Sequence, residues 1–214
     1  DPKLEPALCL GPDGKPAEPV LIRSLTLAEV RRYDCGTLKN LRFPRQAPAP
    51  GERVPTLAEV FALSTTVQFN IETKIFPAFP EASPDPEEFA ALVVKEARAA
   101  KMTARVIVQS FDRRTLEAVK RLEPGLRTAM LTSDNLVDFA ALAEAGKFDF
   151  ISPDHQWVTL EDVMALHARK VQVAPWTVND AAGWARMLEL GVDAIITDYP
   201  EDLVAYLAAR GRRD

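Results

Sequence analysis

Apolar residues recur along this chain with two different periods. Short runs read as β-strands: "VQFNIETK" (67–74), "ARVIVQSF" (104–111), "LRTAMLT" (126–132), "FDFISP" (148–153), "VQVAPWTV" (171–178) and "DAIITD" (193–198). Several are apolar on both faces, as strands buried on both sides require. Between them lie segments with the 3.6-residue stripe of amphipathic helices: "DPEEFAALVVKEARAA", "RRTLEAVKRL", "DNLVDFAALAEAG", "TLEDVMALHAR", "DAAGWARMLELG" and, at the end, "PEDLVAYLAARG". In the helix over 85–100 the stripe predicts Phe89, Leu92, Val93 and Val94 as the core face.

Strands alternating with helices imply parallel strands joined by right-handed crossovers. An open doubly wound sheet and a (β/α)8 barrel both satisfy that rule. Polar residues gather at the C-terminal tips of the strands: Glu72 and Lys74, Gln109 and Ser110, Thr132 and Ser133, Ser152, Trp176 and Asn179, Thr197 and Asp198. In a barrel those tips ring one mouth, where the chemistry sits. No Gly-rich strand-to-helix turn appears, which takes weight from the nucleotide-binding open sheets. The expected fold is therefore α/β, of the TIM (β/α)8-barrel type, incomplete here with about six strands and the first ones missing.

Residues 1–55 behave differently. They are rich in proline, carry the turn signals "GPDG" and "APAPG", and hold one short amphipathic helix in "SLTLAEVRRYD". Ser24 or Thr26 could cap it, with Leu27 and Val30 on its buried face. This stretch reads as an irregular insertion segment, and 56–214 as the βα-repeat portion of the same domain. At the junction Thr56 is placed to cap "LAEVF", with Glu59 as its capping-box partner. Cys9 and Cys35 either form a bridge or remain two reduced thiols; no metal-ligand spacing accompanies them. The opening "DPKLEP" has neither an initiator Met nor a signal-peptide pattern. It reads as a loop from something longer, which would also explain the missing strands.

Composition narrows the function classes. The chain has 214 residues, 47% of them hydrophobic and 27% charged, enough for a substantial core. A net charge of -5 gives no electrostatic case for nucleic-acid binding. The terminal cluster of Arg210, Arg212 and Arg213 reads as a solvated tail. No apolar run is long enough to span a bilayer.

The candidate chemistry starts at "NIETK". Residues two apart on a strand share a face, so Glu72 and Lys74 project into one space. They form either an ion pair at the edge of a sheet or part of a site. Asn70, one step deeper on that face, could orient Glu72 or belong to a polar layer. Trp176 could line an apolar cleft or pack at the rim with its N–H bonded. Gln109 and Ser110 are candidates to line the site. Asn179 is expected to cap the helix starting near Asp180, and Asp198 to cap the last helix. His155 falls in a loop at the rim, and His167 on a helix surface.

At these residues the chain resembles the glycerophosphodiester phosphodiesterases. "VPTLAEVF" and "NIETK", then "VIVQSFD", "WTVND" and "GVDAIITDYP", resemble the family's motifs in the family's order. "DPKLEP" is similar to the stretch after the histidine of its H-D element, with Asp1 as that Asp. The resemblance implies a TIM barrel that uses a divalent cation, Ca²⁺ or Mg²⁺, to hydrolyse a small-molecule phosphodiester to an alcohol and glycerol 3-phosphate. It implies Glu72 as a metal ligand and Lys74 facing the phosphate; Trp176, Gln109 and Ser110 stand beside them as candidate substrate contacts. The family's H-R-G and E-x-D elements and the His before Asp1 are not in the chain, and neither His155 nor His167 matches a catalytic position. The chain alone is therefore expected to be inactive. A non-catalytic barrel remnant is the alternative, as is a phospholipase-type relative acting on lipids, although no membrane-inserting aromatic loop is visible in the sequence. The proline-rich insertion and the paired cysteines tilt the placement toward an extracytoplasmic bacterial protein over a cytoplasmic one.

Overall fold

A computed structural model describes residues 8–211. Asp1 and the arginines Arg212 and Arg213 lie outside the described residues. The chain forms two compact units: 1–65 together with 76–84, and 66–75 together with 85–214. The first unit therefore runs beyond the expected boundary at 55 and also takes in the segment after "NIETKI".

The first unit has little regular structure and is held by cross-links of several kinds. Cys9 and Cys35 form a disulfide. Leu10 makes bridges with Pro16 and Asp34. Two short helices, α1 (Leu27–Val30) and α2 (Leu57–Phe61), open with capping boxes from Thr26 and Glu29 and from Thr56 and Glu59. Val30 is buried under α1, whereas Leu27 is half exposed, because a helix of one turn can bury only one edge. Asp34 is the polar hub. Its carboxylate accepts the amides of Gly36, Thr37 and Gly51 and the Thr37 hydroxyl at 2.6 Å. Those bonds, the Thr37 hydroxyl first, pull its pKa down to about 2. Gly36 admits no side chain, since a Cβ there would lie 1.8 Å from the Ala49 carbonyl oxygen.

The second unit carries the sheet. Among the described residues five parallel strands pair in sequence order: β1 (Phe69–Thr73), β2 (Val106–Ser110), β3 (Arg127–Thr132), β4 (Phe150–Pro153) and β5 (Gln172–Val173). Helices come after the strands as α3 (Pro86–Ala99), α4 (Arg113–Leu122), α5 (Phe139–Gly146), α6 (Leu160–Ala168), α7 (Ala181–Leu190) and α8 (Pro200–Ala208). Most start at side-chain caps. Asp85, Asp112, Asp138, Thr159 and Asp180 each accept a backbone N–H of the first turn. Asp180, not Asn179, caps α7. Tyr199 precedes α8 without any side-chain cap, so Asp198 does not cap it either.

The expected strand "DAIITD" is present in its bonding. Asp193 and Ala194 donate to the Val173 carbonyl, Ile196 to Pro175, and Val178 back to Ile196. Residues 193–196 thus lie along β5 as a sixth, irregular rail. Pro175 brings no N–H to this ladder, which helps to explain why regular strand structure stops early there.

Two cores flank the sheet. Toward the helices, Val106, Val108, Leu116, Val119, Ile151, Val163 and Leu166 are almost fully buried. In α3 the buried stripe is Ala90, Val93, Val94 and Ala97. Leu92, expected inside, is 46% exposed, and Phe89 is only partly covered. The alanines on this stripe let the helix pack closely against α4, its main neighbour. On the other face Ile107, Ala129 and Phe150 from β2, β3 and β4 pack together with Ala174, the residue that follows β5. In a flat sheet β2 and β5 would stand about 14 Å apart, yet these side chains form one cluster. The sheet therefore curls with this face inward, in the manner of an open TIM-barrel wall.

Candidate active site

Strand register decides which side chains share the concave face. Glu72 stands opposite Gln109, Gln109 opposite Ala129, and Leu131 opposite Ser152. Partners in a parallel ladder point the same way, so Asn70, Glu72, Gln109 and Phe111 rise on the side of the Ala129–Phe150 cluster. Because every strand is parallel, their C-terminal tips also lie at one end.

At the tip of β1 the Lys74 ammonium is 2.5 Å from Glu72 Oε1. The two side chains differ in environment: Lys74 is 61% exposed and Glu72 25%. Glu72 Oε1 is shut off from solvent and receives no hydrogen bond of acceptable angle, so the ammonium is its contact. Asn70 does not orient Glu72. Its amide donates to Gln109 Oε1 at 2.7 Å, bridging β1 to β2 one layer below.

Ser110 lies elsewhere. It points to the opposite face of β2, fully buried, where its hydroxyl donates to the Thr73 carbonyl and accepts the Asp112 amide. The structure brings Glu72, Lys74, Gln109 and Trp176 to one face and leaves Ser110 behind the sheet. Neighbouring residues on a strand point to opposite faces, so Gln109 and Ser110 could not both have lined the site.

Trp176 takes the second of its two expected arrangements, packed with its N–H bonded: the indole donates to the Ser152 carbonyl at 2.8 Å, and the residue stays partly exposed. Phe111 meets it edge-to-face with centroids 5.5 Å apart, and the Lys74 ammonium lies 5.9 Å from the Phe111 ring. Phe111 is not among the expected site residues. The signal that could have found it is its spacing, two residues beyond Gln109 on the same face. Beside it, Asp112 caps α4 and is gripped by Arg114, whose hydrogen bonds hold its carboxyl below the usual range.

Asn179 works as a clamp. Its Oδ1 accepts the Thr197 hydroxyl and the Asp198 amide, and its Nδ2 donates to Asp198 Oδ2 at 2.7 Å. It thereby ties "WTVN" to "ITDYP". His167 is held by Asp193 at 2.9 Å, and the same Asp193 oxygen accepts the Val173 amide. His155 donates its backbone N–H to the Trp176 carbonyl and sits partly exposed in a 3-10 turn. Among the described residues no cluster of three or more His, Cys, Asp or Glu side chains is placed to hold a metal ion. Glu72 would supply one carboxylate ligand to such an ion, through the Oε1 that lies against the Lys74 ammonium. No helix among the described residues is long and apolar enough to cross a membrane.

Comparison with known proteins agrees with this architecture. Residues 10–202 match the model of the glycerophosphoryl diester phosphodiesterase family. A glycerophosphodiester phosphodiesterase of Caldanaerobacter subterraneus subsp. tengcongensis is 31% identical over 189 residues, covering 86% of this chain and 71% of that protein. One from Bacillus subtilis is 31% identical over 190 residues, covering 84% of this chain and 64% of that one. The crystal structure of a Silicibacter pomeroyi protein assigned to the same group superposes with a TM-score of 0.86 at 28% identity, covering 96% of this chain and 76% of the other. An Oleispira antarctica phosphodiesterase, solved with the product sn-glycerol-3-phosphate, shares the fold at 21% identity and a TM-score of 0.73, with 88% and 73% covered.

Proposed function

Since this chain belongs to the glycerophosphoryl diester phosphodiesterase family, we propose that its protein hydrolyses glycerophosphodiesters to an alcohol and glycerol 3-phosphate with the help of a divalent cation. The observation that carries the reading is the Glu72–Lys74 pair, an enclosed carboxylate oxygen beside a solvent-reaching ammonium at the C-terminal end of a parallel sheet. A phosphodiester carries one negative charge, and more gathers on its non-bridging oxygens in the transition state. Lys74 supplies positive charge where that anion would lie. Glu72 restrains the ammonium and would give one oxygen to Ca²⁺ or Mg²⁺, the other ligands coming from groups outside the described residues, from water or from the phosphate. Such an ion, when bound, neutralises developing charge on the phosphoryl oxygens. The Asn70–Gln109 bridge holds β1 in register with β2, and Phe111 with Trp176 forms an apolar wall beside the ammonium.

The test uses the full-length protein with glycerophosphocholine, monitoring choline and glycerol 3-phosphate release. Glu72→Gln should weaken metal binding, read by calorimetry, and turnover together. Lys74→Met should lower kcat by about 10²-fold, the order expected when one charge-stabilising group is lost. Full, metal-stimulated turnover by Glu72→Gln would remove that residue from the site. No turnover by the intact wild-type protein with either cation would favour a barrel that binds without catalysing.

A further inference from the structure

Three arginines of the first unit line one cleft of about 390 Å³. Arg31 and Arg32 stand at the end of α1, and Arg53 comes from a separate stretch of chain, two residues past Gly51. The Tyr33 side chain belongs to the same lining, and no aliphatic residue larger than Ala28 or Pro12 does. Single exposed arginines are ordinary. Three guanidiniums gathered around one hollow repel one another, and the arrangement calls for a counter-charge.

The nearby acids are committed elsewhere. Asp34 lines the cleft too, but its oxygens are occupied by the amides of Gly36, Thr37 and Gly51 and by the Thr37 hydroxyl. Glu59 pairs with Arg31 at 2.5 Å and also closes the Thr56 capping box. Glu29 is closed into the Thr26 box, whose hydrogen bonds draw its carboxyl down first, with Arg32 adding a weaker pull. Glu52 lines an adjoining hollow rather than this one. Among the described residues no hydrogen bond or ion pair engages the side chain of Arg32 or Arg53. The walls that carry them are fixed. Leu10 bridges to Asp34, Gly11 bonds to the Lys15 carbonyl around Pro12, and the Cys9–Cys35 disulfide clamps the same two segments. Gly51, at φ +86°, turns the chain so that its amide reaches Asp34. A ligand entering this cleft therefore has little backbone to order.

We propose that this cleft binds a small, free phosphate monoester, with Arg32 and Arg53 gripping its phosphoryl oxygens and the Tyr33 phenol donating to one of them. Guanidinium forks match oxyanions. A carboxylate offers two oxygens in one plane, whereas a phosphoryl group offers three in a pyramid and suits donors that arrive from several directions. The lack of long aliphatic side chains in the lining sets a lipid tail aside. Glycerol 3-phosphate belongs to this ligand class. The site is inferred from the first unit alone, shares no residue with the Glu72–Lys74 pair, and does not depend on the phosphodiesterase reading.

The experiment titrates the full-length protein, carrying Lys74→Met to silence phosphate contact at the other site, with glycerol 3-phosphate, inorganic phosphate and acetate at low salt. The backbone amide NMR signals of Tyr33, Gly51 and Arg53 report the cleft. We expect both phosphates to shift them saturably, acetate to bind about tenfold more weakly, and Arg32→Gln/Arg53→Gln to lower phosphate affinity about tenfold or more. Both arginines are exposed, so the rest of the spectrum should stay in place. Arg32→Lys/Arg53→Lys keeps the charge without the fork and should recover only part of the affinity; if the glutamine pair does not fold, full affinity in the lysine pair overturns the assignment. Absence of saturable shifts, shifts that survive undiminished in the glutamine pair, or acetate binding as tightly as phosphate overturns it as well. So does binding to vesicles of phosphatidic acid without any response to glycerol 3-phosphate, which would mark a headgroup site. Turnover is not read, so a failure of the phosphodiesterase reading leaves each of these outcomes intact.

Discussion

Asn179→Asp replaces an amide by its closest isostere, yet the clamp geometry predicts that it harms the protein more than truncation to alanine. Asn179 gives one hydrogen bond to Asp198 Oδ2 at 2.7 Å and accepts two, from the Thr197 hydroxyl and the Asp198 amide. Alanine deletes all three on a surface where water can replace them, a loss of about 1 kcal/mol. Aspartate keeps the two acceptor contacts but turns the donor into a second carboxylate oxygen facing Asp198. Two unit charges at that separation repel by about 1.5 kcal/mol even at the dielectric of water. The exchanged hydrogen bond adds about 1 kcal/mol more. The expected order at neutral pH and low salt is wild type, then Asn179→Ala, then Asn179→Asp, the last about 2.5 kcal/mol below wild type. Urea unfolding monitored by circular dichroism measures this. Molar salt should lift Asn179→Asp toward Asn179→Ala and leave the alanine variant unmoved. Acid that neutralises one of the facing carboxyls should act in the same direction. If Asn179→Asp is as stable as Asn179→Ala in low salt, Asn179 is not the donor to Asp198 and the clamp is misassigned.

Other outcomes concern the first unit. Asp34, with its pKa drawn down to about 2, stabilises the fold fully above the ordinary carboxylate range and loses that contribution as pH falls toward 2. A carboxyl-carbon NMR titration should place its midpoint near that value, and Asp34→Asn should remove this part of the acid sensitivity. Gly36→Ala forces a methyl against the Ala49 carbonyl and should cost about 2–3 kcal/mol, read as a lower melting temperature. Replacing Cys9 and Cys35 by serine reopens a loop with a sequence separation of 26 and should cost about 3 kcal/mol in denaturant unfolding; a reductant should do the same to wild type and nothing to the variant.

Much of this architecture is written in local periodicity. The five strands fall inside the predicted runs because period-two and period-3.6 patterns report burial directly. The pairing of Glu72 with Lys74 follows from the same alternation, and the Thr56 capping box from residue spacing alone, whereas spacing left Ser24 and Thr26 as alternative caps of α1. The features that the pattern left hidden depend on contacts distant in sequence. Leu92 reads as core but is exposed, because α3 packs against α4 along the stripe of Ala90, Val93, Val94 and Ala97, which leaves Leu92 outside. The Asn179–Asp198 link joins two motifs that are each unremarkable alone. Helix starts are hard to fix to one residue, and the cap went to Asp180. The segment 76–84 carries no regular structure, so nothing local announced that it belongs with the first unit.

That last assignment has an evolutionary corollary. Residues 66–75, which include β1 and Glu72, belong to the second unit, yet the chain reaches them from the first unit and returns to it immediately afterwards. The first unit is therefore not a cassette. Transplanting it into a homologous gene by recombination would need two separate exchanges, one on either side of those codons. A single exchange would deliver only one of its two pieces, or carry the glutamate and its strand along as passengers.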